Sequence, residues 1–246
     1  MSRSQSTYPA GSAHAETMNR VYRRQRHVYD LTRKYYLFGR DTMLNRLDIP
    51  ESGRVLEIGC GTGRNLVSAA TRTPHALFYG FDISAEMLEQ AALNVQRSRA
   101  APRIFLARGD AETFDACGHF RVDGFDRAFM SYTISMIPGW QQAVSHALTQ
   151  LKPGGSLHLV DFGPMNRWPG FARTAMRRWL AAFHVDPRDA LPATLDKMAS
   201  DAGLNANVDS IGGGYAVIAS IGPGAQPVAQ ASESRGIDWF AQATQP

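Results

Sequence analysis

Residues 54–65 read RVLEIGCGTGRN: an apolar run ends in an acid, a glycine-rich turn follows, and a helical pattern begins. Gly59, Gly61 and Gly63 allow a tight turn and a close approach between the backbone and a ligand, where a Cβ would clash. A group bound at such a turn lies beside the free N–H donors at the start of a helix. The stretch therefore predicts a strand, a ligand-binding turn and a helix.

A second acid, Asp82, closes the next apolar run at residues 76–81. In strand–helix–strand units that bind nucleotides, an acid about 20 residues after the glycines accepts hydrogen bonds from ribose hydroxyls. The glycine spacing departs from the G-x-G-x-x-G pattern of dinucleotide sites, because Asn65 and Leu66 follow Arg64. We therefore expect a nucleoside-containing cofactor, with a dinucleotide as the less favoured alternative.

The alternation of elements from residue 54 onward predicts an α/β fold. Two final β-patterned runs, at about 205–211 and 215–221, are joined through three glycines, which indicates a hairpin. We predict a Rossmann-like, seven-stranded, mostly parallel sheet with helices on both faces and a C-terminal β-hairpin. Its ligand should lie beyond the carboxyl ends of the strands. The other strands are expected at about 54–58, 76–82, 103–108, 125–131 and 156–162. Helices are expected at about 63–73, after Ser84 as N-cap, from Pro138 as the opening residue, with Pro169 at a first helical position, and at 190–202.

Composition divides the chain into four parts. Residues 1–17 are rich in Ser, Ala and Gly and are expected to be disordered. Residues 18–50 are predicted to form a helical lid, residues 51–221 the α/β domain, and residues 222–246 a flexible tail. No apolar run reaches the ~18 residues of a membrane span, residues 1–15 lack the apolar core of a secretory signal, and two cysteines are too few for a disulfide framework. A cytoplasmic protein is expected.

The pattern E-x-G-x-G-x-G at residues 57–63 resembles motif I of the class I S-adenosylmethionine-dependent methyltransferases. The resemblance implies that S-adenosylmethionine is the cofactor and that residues 51–221 form the methyltransferase domain. It implies that Glu57 orients the turn and reaches the cofactor's amino group through water, that Asp82 binds the ribose, and that Asp110 binds the adenine amino group. The predicted cofactor-binding residues are Glu57, Gly59, Gly61, Gly63, Asp82, Ile83, Met87, Asp110, Ala111 and Ser131.

Several of these assignments have a structural alternative, which the sequence leaves open. Glu57 could bind backbone amides at the strand end, Asp82 could cap the next helix, and Asp110 could stabilise a loop turn. The three apolar residues expected to flank the adenine ring would be equally at home in the core: Ile83, Met87 and Ala111.

Basic charge is concentrated in two segments, although the net charge is only +4. Residues 20–40 hold seven bases and one acid, and residues 167–188 hold five bases and one acid. Residues 168–183, inside an insertion at 164–190, show the pattern of a basic amphipathic helix with Trp and Phe on its apolar stripe, as interfacial membrane helices do. We predict that residues 20–40 and 168–183 contact an anionic membrane surface; a helix packed on the domain is the open alternative. The stripe comprises Phe171, Ala175, Met176, Trp179, Leu180 and Phe183.

Three runs resemble the betaine-lipid N-methyltransferases: YDLTRKYYLFGRD at 29–41, SYTISMIPGW at 131–140 and LHLVDFG at 157–163. The related bacterial phosphatidylethanolamine N-methyltransferases share a similar opening and the same core. The resemblance implies a peripheral membrane enzyme that methylates the amine of diacylglyceryl-homoserine to the trimethyl betaine lipid. Phosphatidylethanolamine, or a small molecule methylated on oxygen or nitrogen, is the alternative acceptor.

Aromatic rings are the predicted catalytic groups. Methyl transfer to a neutral amine requires alignment and exclusion of water rather than a dedicated base. A ring stabilises the resulting quaternary ammonium by ~0.5–2 kcal/mol. The candidates are Tyr29, Tyr36 and Tyr132, with packing as their alternative role. The substrate carboxylate would need a cation, for which the sequence offers Arg33, Arg40 and Arg167 without ranking them.

The end of strand four lacks the N/D-P-P-Y/F run of many nucleic-acid amino methyltransferases, which argues against base methylation. We expect neither nucleic acid nor a metal as partner. From a different class of protein, the alternatives are one that binds the cofactor without turnover and a module that binds the RNA phosphate backbone.

Overall fold

The computed structural model describes residues 37–183 and 185–223. The predicted disordered segment 1–17, the predicted lid up to residue 36 and the predicted tail from residue 224 lie outside these described residues. The elements are helix α1 Arg40–Asn45, strand β1 Arg54–Ile58, α2 Arg64–Arg72, β2 Leu77–Asp82, α3 Ala85–Gln96, β3 Ile104–Arg108, α4 Ala116–Phe120, β4 Phe125–Ser131, α5 Trp140–Thr149, β5 Leu151–Phe162, α6 Gly170–Ala181, α7 Leu191–Asp201, β6 Asn205–Ile211 and β7 Ala216–Gly222.

The strands form one seven-stranded sheet in the order β3-β2-β1-β4-β5-β7-β6. Strands β1 to β5 are parallel to one another, whereas β7 runs antiparallel to both β5 and β6. The short 3₁₀ turn Gly212–Gly214 joins β6 to β7. The predicted fold, a Rossmann-like mostly parallel sheet with a C-terminal hairpin, is therefore confirmed.

Helices cover both faces of the sheet. Successive side chains of a strand point to opposite faces, so neighbouring strand residues belong to different buried clusters. Val55 belongs to a buried cluster with residues of α1, α2, α3 and α6, such as Met43 and Leu180. Its neighbour Leu56 belongs to a second cluster with residues of α4, α5 and α7, such as Trp140. The predicted placement of helices on both faces follows from this alternation.

Three boundaries differ from those expected. Strand β5 begins at Leu151 rather than near residue 156, because Leu151 pairs with Phe125 and Ser156 with Arg127, with a register shift between the two pairs. Helix α5 begins at Trp140, two residues after Pro138, and α6 begins at Gly170, with Pro169 in the capping position. These differences leave the order of elements unchanged.

The carboxyl ends of β1, β2, β3 and β4 meet at one edge of the sheet, because these strands are parallel. Helix α1 and the residues before it lie against this part of the molecule and the hairpin. A Cβ on Gly39 would come within 2.4 Å of the Ile211 side chain, and the Arg46 guanidinium donates to Asp209 at 2.5 Å. The fold thus brings an N-terminal segment and the C-terminal hairpin next to the edge where ligands bind in such sheets.

Candidate active site

The glycine turn after β1 adopts the left-handed backbone that its sequence predicts. The φ angles of Gly59, Gly61 and Gly63 are 69°, 52° and 70°. A Cβ on Gly59 would stand 2.4 Å from the Thr133 side chain, so the two loops touch through backbone that only glycine permits. The turn therefore leaves backbone exposed to a ligand at the carboxyl edge.

Asp82 fixes this turn from the end of β2. One carboxylate oxygen accepts the Gly61 N–H at 2.8 Å, and the other accepts the Ser84 N–H at 2.9 Å. Ser84 caps α3 by accepting the Met87 N–H at 3.3 Å. The structural alternative for Asp82 is thus realised in part, and the carboxylate also lines the cleft where the predicted ribose would lie.

Glu57 is only 1% exposed and lies beneath the turn. One of its carboxylate oxygens accepts a hydrogen bond from the Asn65 side-chain amide at 2.7 Å. Asn65 belongs to the first turn of α2, so this bond ties the strand to the helix across the glycines. This matches a role in orienting the turn, and its predicted bond to the cofactor remains a prediction.

Two neighbouring spaces open at this edge, and Gly59 lines both. The main cleft holds about 600 Å³ of empty space and the side pocket about 420 Å³, in each case including space open to solvent. Main-cleft residues are Gly59, Gly61, Phe81, Asp82, Ile83, Gly109, Asp110, Ala111, Glu112, Tyr132, Thr133, Met136 and Ile137. Side-pocket residues are Leu37, Arg40, Glu57, Gly59, Cys60, Thr62, Arg64, Asn65 and Ser131.

Most predicted cofactor-binding residues line these spaces, and two do not. Gly63 caps α2, and a Cβ there would face Ala91 of α3 at 3.2 Å, so its conformation serves the packing of two helices. Met87 is buried on α3 and lines neither space, so its expected place beside the adenine ring stays a prediction. Because helix α3 starts at Ala85, its first turn directs Met87 into the protein interior.

The acidic loop after β3 has a role that the sequence only partly suggested. Asp110 accepts the Glu112 N–H at 3.0 Å, which is the loop turn expected as its alternative role, and it lines the main cleft. Glu112 in turn accepts the Gly139 N–H at 3.1 Å. Glu112 is not among the predicted site residues, because a hydrogen bond to a loop 27 positions away leaves no local signal in the sequence.

The turn after β4 supplies further cleft residues that the sequence did not single out. Thr133, Met136 and Ile137 line the main cleft, and the 3₁₀ turn Ile134–Met136 carries them. Buried Asp161 holds this turn by accepting the Ser135 N–H at 3.0 Å. Burial raises the pKa of Asp161, which opposes its ionisation. The sequence signals for these residues were their position directly after a predicted strand and their place in the run at 131–140.

Ser131, the last residue of β4, lies between the two spaces. It is 3% exposed, and its hydroxyl has no hydrogen-bond partner among the described residues. A buried polar atom without a partner is costly. The hydroxyl borders the side pocket, so a polar group of a ligand in that pocket would satisfy it.

Among the predicted catalytic tyrosines only Tyr132 is described; Tyr29 and Tyr36, like Arg33, lie outside the described residues. Tyr132 is 3% exposed, and its hydroxyl donates to the backbone carbonyl of Phe38 at 2.5 Å. Burial raises the pKa of the Tyr132 hydroxyl well above its ordinary value, so the group stays protonated. The structure therefore shows a hydroxyl engaged with protein backbone beside the cleft.

Cys60 is not placed for nucleophilic chemistry. Its thiol is buried, and burial together with the Asp82 and Glu57 charges raises its pKa well above the ordinary value. The thiol therefore stays protonated, as expected of a small residue in the turn.

The predicted amphipathic helix forms as α6 but packs differently from a free interfacial helix. Leu180 is buried, and Met176, Trp179 and Phe183 pack against the core. Phe171 at its start is 81% exposed. The packed alternative therefore accounts for most of the stripe, and the exposed end of the helix remains open to a partner.

Comparisons with known proteins agree with this geometry. Residues 55–155 match the family model described as a methyltransferase domain. The ubiquinone/menaquinone biosynthesis C-methyltransferase UbiE of Geotalea daltonii is 29% identical over 140 residues, 54% of this chain and 58% of the relative. A phosphatidylethanolamine N-methyltransferase of Cereibacter sphaeroides is 30% identical over 131 residues, 53% of this chain and 60% of the relative. The matches thus span little more than half of these relatives.

A solved structure shows the same fold. The phosphoethanolamine N-methyltransferase 2 of Haemonchus contortus, in complex with S-adenosyl-L-methionine, superposes with a TM-score of 0.56 and 22% identity, covering 70% of this chain and 38% of that one. The shared fold and the match of residues 55–155 to a methyltransferase domain agree with the predicted class of domain, an S-adenosylmethionine-dependent methyltransferase.

Proposed function

We propose that this chain, whose residues 55–155 form a methyltransferase domain, methylates the amine of a lipid headgroup, with diacylglyceryl-homoserine as the acceptor and the trimethyl betaine lipid as the product. The observation that carries the proposal is a pair of exposed phenylalanines. Phe38, 57% exposed, follows the side-pocket residue Leu37, and Phe171, 81% exposed, lies at the start of α6. The phosphatidylethanolamine N-methyltransferase relative supports an amine on a lipid as the acceptor.

The residues present fit S-adenosylmethionine. When bound, the cofactor supplies a methyl group activated on a sulfonium. Asp82 would accept hydrogen bonds from the ribose hydroxyls, beside the Gly61 N–H that it already binds. Asp110 would accept a hydrogen bond from the adenine amino group, beside the Glu112 N–H that it already binds. The unpartnered Ser131 hydroxyl and the Glu57 carboxylate border the side pocket, where the amino-acid end would lie.

The chemistry needs little from the protein beyond placement. An amine that enters in its neutral form needs only to be aligned with the methyl group and shielded from water. The apolar turn residues Met136 and Ile137 and the ring of Tyr132 line the cleft and exclude water there. Tyr29 and Tyr36 remain the proposed rings for the quaternary product. Arg40, which lines the side pocket, becomes the favoured cation for a carboxylate, ahead of exposed Arg167.

A peripheral membrane contact would bring such an acceptor to the site. Phe38 and Trp168 both lie against the hairpin turn: a Cβ on Gly212 would be 3.6 Å from the Phe38 ring, and one on Gly213 3.2 Å from the Trp168 ring. Phe171 follows three residues later. No helix in the described part of the chain is long and apolar enough to span a membrane. We therefore propose that residues 20–40 and 168–183 together rest on an anionic bilayer.

Charge near these rings favours anionic lipid. Arg173 and Arg178 on α6 are exposed and form no ion pair within residues 37–183 and 185–223, whereas Arg177 pairs with Asp189. Basic residues beside exposed aromatic rings are typical of interfacial helices. Such residues gain electrostatic energy from an anionic surface that they do not already gain within the protein.

A second candidate is methyl transfer to carbon. It is favoured by the Geotalea daltonii relative, which is named for ubiquinone/menaquinone biosynthesis. A quinone precursor carries a long apolar tail and would also suit exposed aromatic rings. The two candidates differ in the atom that receives the methyl group, so the products distinguish them.

The deciding experiment offers labelled S-adenosylmethionine with diacylglyceryl-homoserine, phosphatidylethanolamine or a demethylated quinone precursor in separate vesicles. Mass spectrometry then identifies each product. Label on the homoserine amine supports the proposal. Label only on the ethanolamine amine corrects the acceptor, and label only on a quinone carbon overturns amine methylation.

Vesicle co-sedimentation tests the membrane contact separately. Phe171→Asp should weaken binding to anionic vesicles, because a charge replaces the most exposed ring. The matched control is Leu93→Asp, since Leu93 is also exposed (46%) but lies on α3. Equal binding by both variants would remove Phe171 from the proposed contact.

A further inference from the structure

Tyr132 has an unusual backbone for an aromatic residue. It follows β4 directly and has φ 55°, in the left-handed region that residues other than glycine, asparagine and aspartate seldom occupy. Its N–H donates to the Val160 carbonyl at 2.7 Å. Backbone strain of this kind persists where the surroundings hold it, often at functional sites.

The Tyr132 side chain joins two distant parts of the chain. Its ring packs edge-on against Phe162, with centroids 4.7 Å apart, and Phe162 packs against Tyr215 at 5.7 Å. Its hydroxyl donates to the Phe38 carbonyl, 94 positions away in the sequence. The ring is thus fixed by packing, while the hydroxyl makes a single directed bond.

The carbonyl that Tyr132 holds lies in a segment that supplies two residues to the wall of the side pocket. Phe38 follows Leu37 and stands two residues before Arg40, and both of those residues line the pocket. Gly39 has φ 87° and fits against the Ile211 side chain with no room for a Cβ. The segment 37–40 is therefore held at two points, by the hairpin at Gly39 and by the Tyr132 hydroxyl at Phe38.

We propose that Tyr132 is a positioning residue rather than a catalytic one: its hydroxyl anchors residues 37–40 so that Arg40 faces the side pocket opposite Ser131 and Glu57. The group that Arg40 then binds is a carboxylate. It belongs either to the amino-acid end of the cofactor or to the acceptor, and only the acceptor arm rests on the proposed function.

This arrangement gives a reason for the Tyr132 hydroxyl, beside the main cleft, to donate to a backbone carbonyl rather than to a ligand. A guanidinium on a short surface helix has many rotamers and loses entropy when it binds. Arg40 already pairs with adjacent Asp41 at 3.2 Å. Fixing the preceding backbone lowers the entropy cost of placing the guanidinium, and the Tyr132 hydroxyl does so through the Phe38 carbonyl.

Equilibrium binding tests the cofactor arm without any acceptor. Tyr132→Phe keeps the ring and removes only the hydroxyl. We expect its Kd for S-adenosylhomocysteine to rise about tenfold, which corresponds to about 1.4 kcal/mol. Its Kd for 5′-methylthioadenosine, which lacks the amino-acid end, should stay unchanged. Arg40→Ala should show the same selectivity, and the double variant should be no weaker than Arg40→Ala alone.

If the carboxylate is that of the acceptor, S-adenosylhomocysteine binding stays unchanged, while both variants raise the acceptor KM with little change in kcat.

Hydrogen exchange provides a readout independent of any ligand. The Met43 N–H, which donates to the Gly39 carbonyl at 2.8 Å, should lose protection in Tyr132→Phe, whereas the Tyr132 N–H should keep it. Tyr79→Phe, a buried tyrosine on β2 outside both spaces, is the matched control and should behave as the parent protein.

Three results would overturn the proposal. The first is unchanged Met43 protection in Tyr132→Phe. The second is equal weakening of both nucleoside ligands, which would place the hydroxyl's effect at the adenosine or in overall stability. The third is an additive loss in the double variant, which would show that Tyr132 does not act through Arg40.

Discussion

Asp82 allows a direct test of the cofactor site, because its carboxylate has two roles that can be measured separately: it holds the backbone of the site, and it is proposed to bind the ribose. It accepts the Gly61 and Ser84 N–H groups at 2.8 and 2.9 Å, which holds the glycine turn and the start of α3. In the proposed complex it also accepts from the ribose. Hydrogen bonds to a charged group contribute about 1.5–3 kcal/mol each.

Asp82→Ala should therefore lower both stability and affinity. Loss of two ribose bonds at the low end of that range, about 3 kcal/mol, weakens the cofactor Kd by more than about 100-fold. Loss of the two backbone bonds should lower the free energy of unfolding by roughly 2–4 kcal/mol. The sequence predicted Asp82 as a ribose ligand, and its hydrogen bond to the Gly61 N–H adds the expected loss of stability.

Urea unfolding measures the free energy of unfolding of the variant. Calorimetry with S-adenosylhomocysteine, carried out well below the variant's melting temperature, measures the Kd. Asp115→Ala is the control, because Asp115 caps α4 by accepting the Gly118 N–H at 2.8 Å and lies outside both spaces. It should lose about 1 kcal/mol of stability and keep its Kd. A folded Asp82→Ala variant that binds the cofactor like the parent protein would refute the ribose assignment.

Three other predictions follow from single residues. Burial lowers the pKa of His158 to about 4 in the folded state. Between pH 6.5 and 4 the unfolded chain therefore binds a proton that the folded chain does not, and the free energy of unfolding should fall by about 3 kcal/mol over that range. In His158→Gln the urea midpoint should depend less on pH over this window, and an unchanged pH dependence would contradict the assignment. In Gly59→Ala the new Cβ meets Thr133, so the variant should lose about 1–3 kcal/mol of stability in thermal melts and most of its cofactor binding in calorimetry. Gly170→Ala is the control, because the space around Gly170 is open, and it should keep both its stability and its cofactor binding. Tyr36→Ala should lower turnover about tenfold, roughly 1.4 kcal/mol of barrier, with later methylations lost first; a lower melting temperature with normal turnover would make Tyr36 a packing residue, and Tyr36→Phe separates the hydroxyl from the ring.

The sequence by itself determined the order of elements and the location of the cofactor turn. The strands Arg54–Ile58 and Phe125–Ser131 lie where the apolar runs placed them. Gly59 and Gly61 line the main cleft, as the motif indicated. These features are local: a run of apolar residues, a glycine that must turn and an acid at a strand end each carry their signal within a few positions.

The tertiary structure alone decided which side chains meet across the fold. The partner of the Tyr132 hydroxyl is a carbonyl 94 positions away, and Glu112 reaches Gly139 from another loop. Likewise Leu180 turns inward because the core offers it an apolar surface, whereas Phe171, on the same predicted stripe, finds none. Periodicity fixes which face of an element a residue occupies, but what covers that face depends on contacts between segments far apart in the chain, and a local pattern cannot encode those contacts.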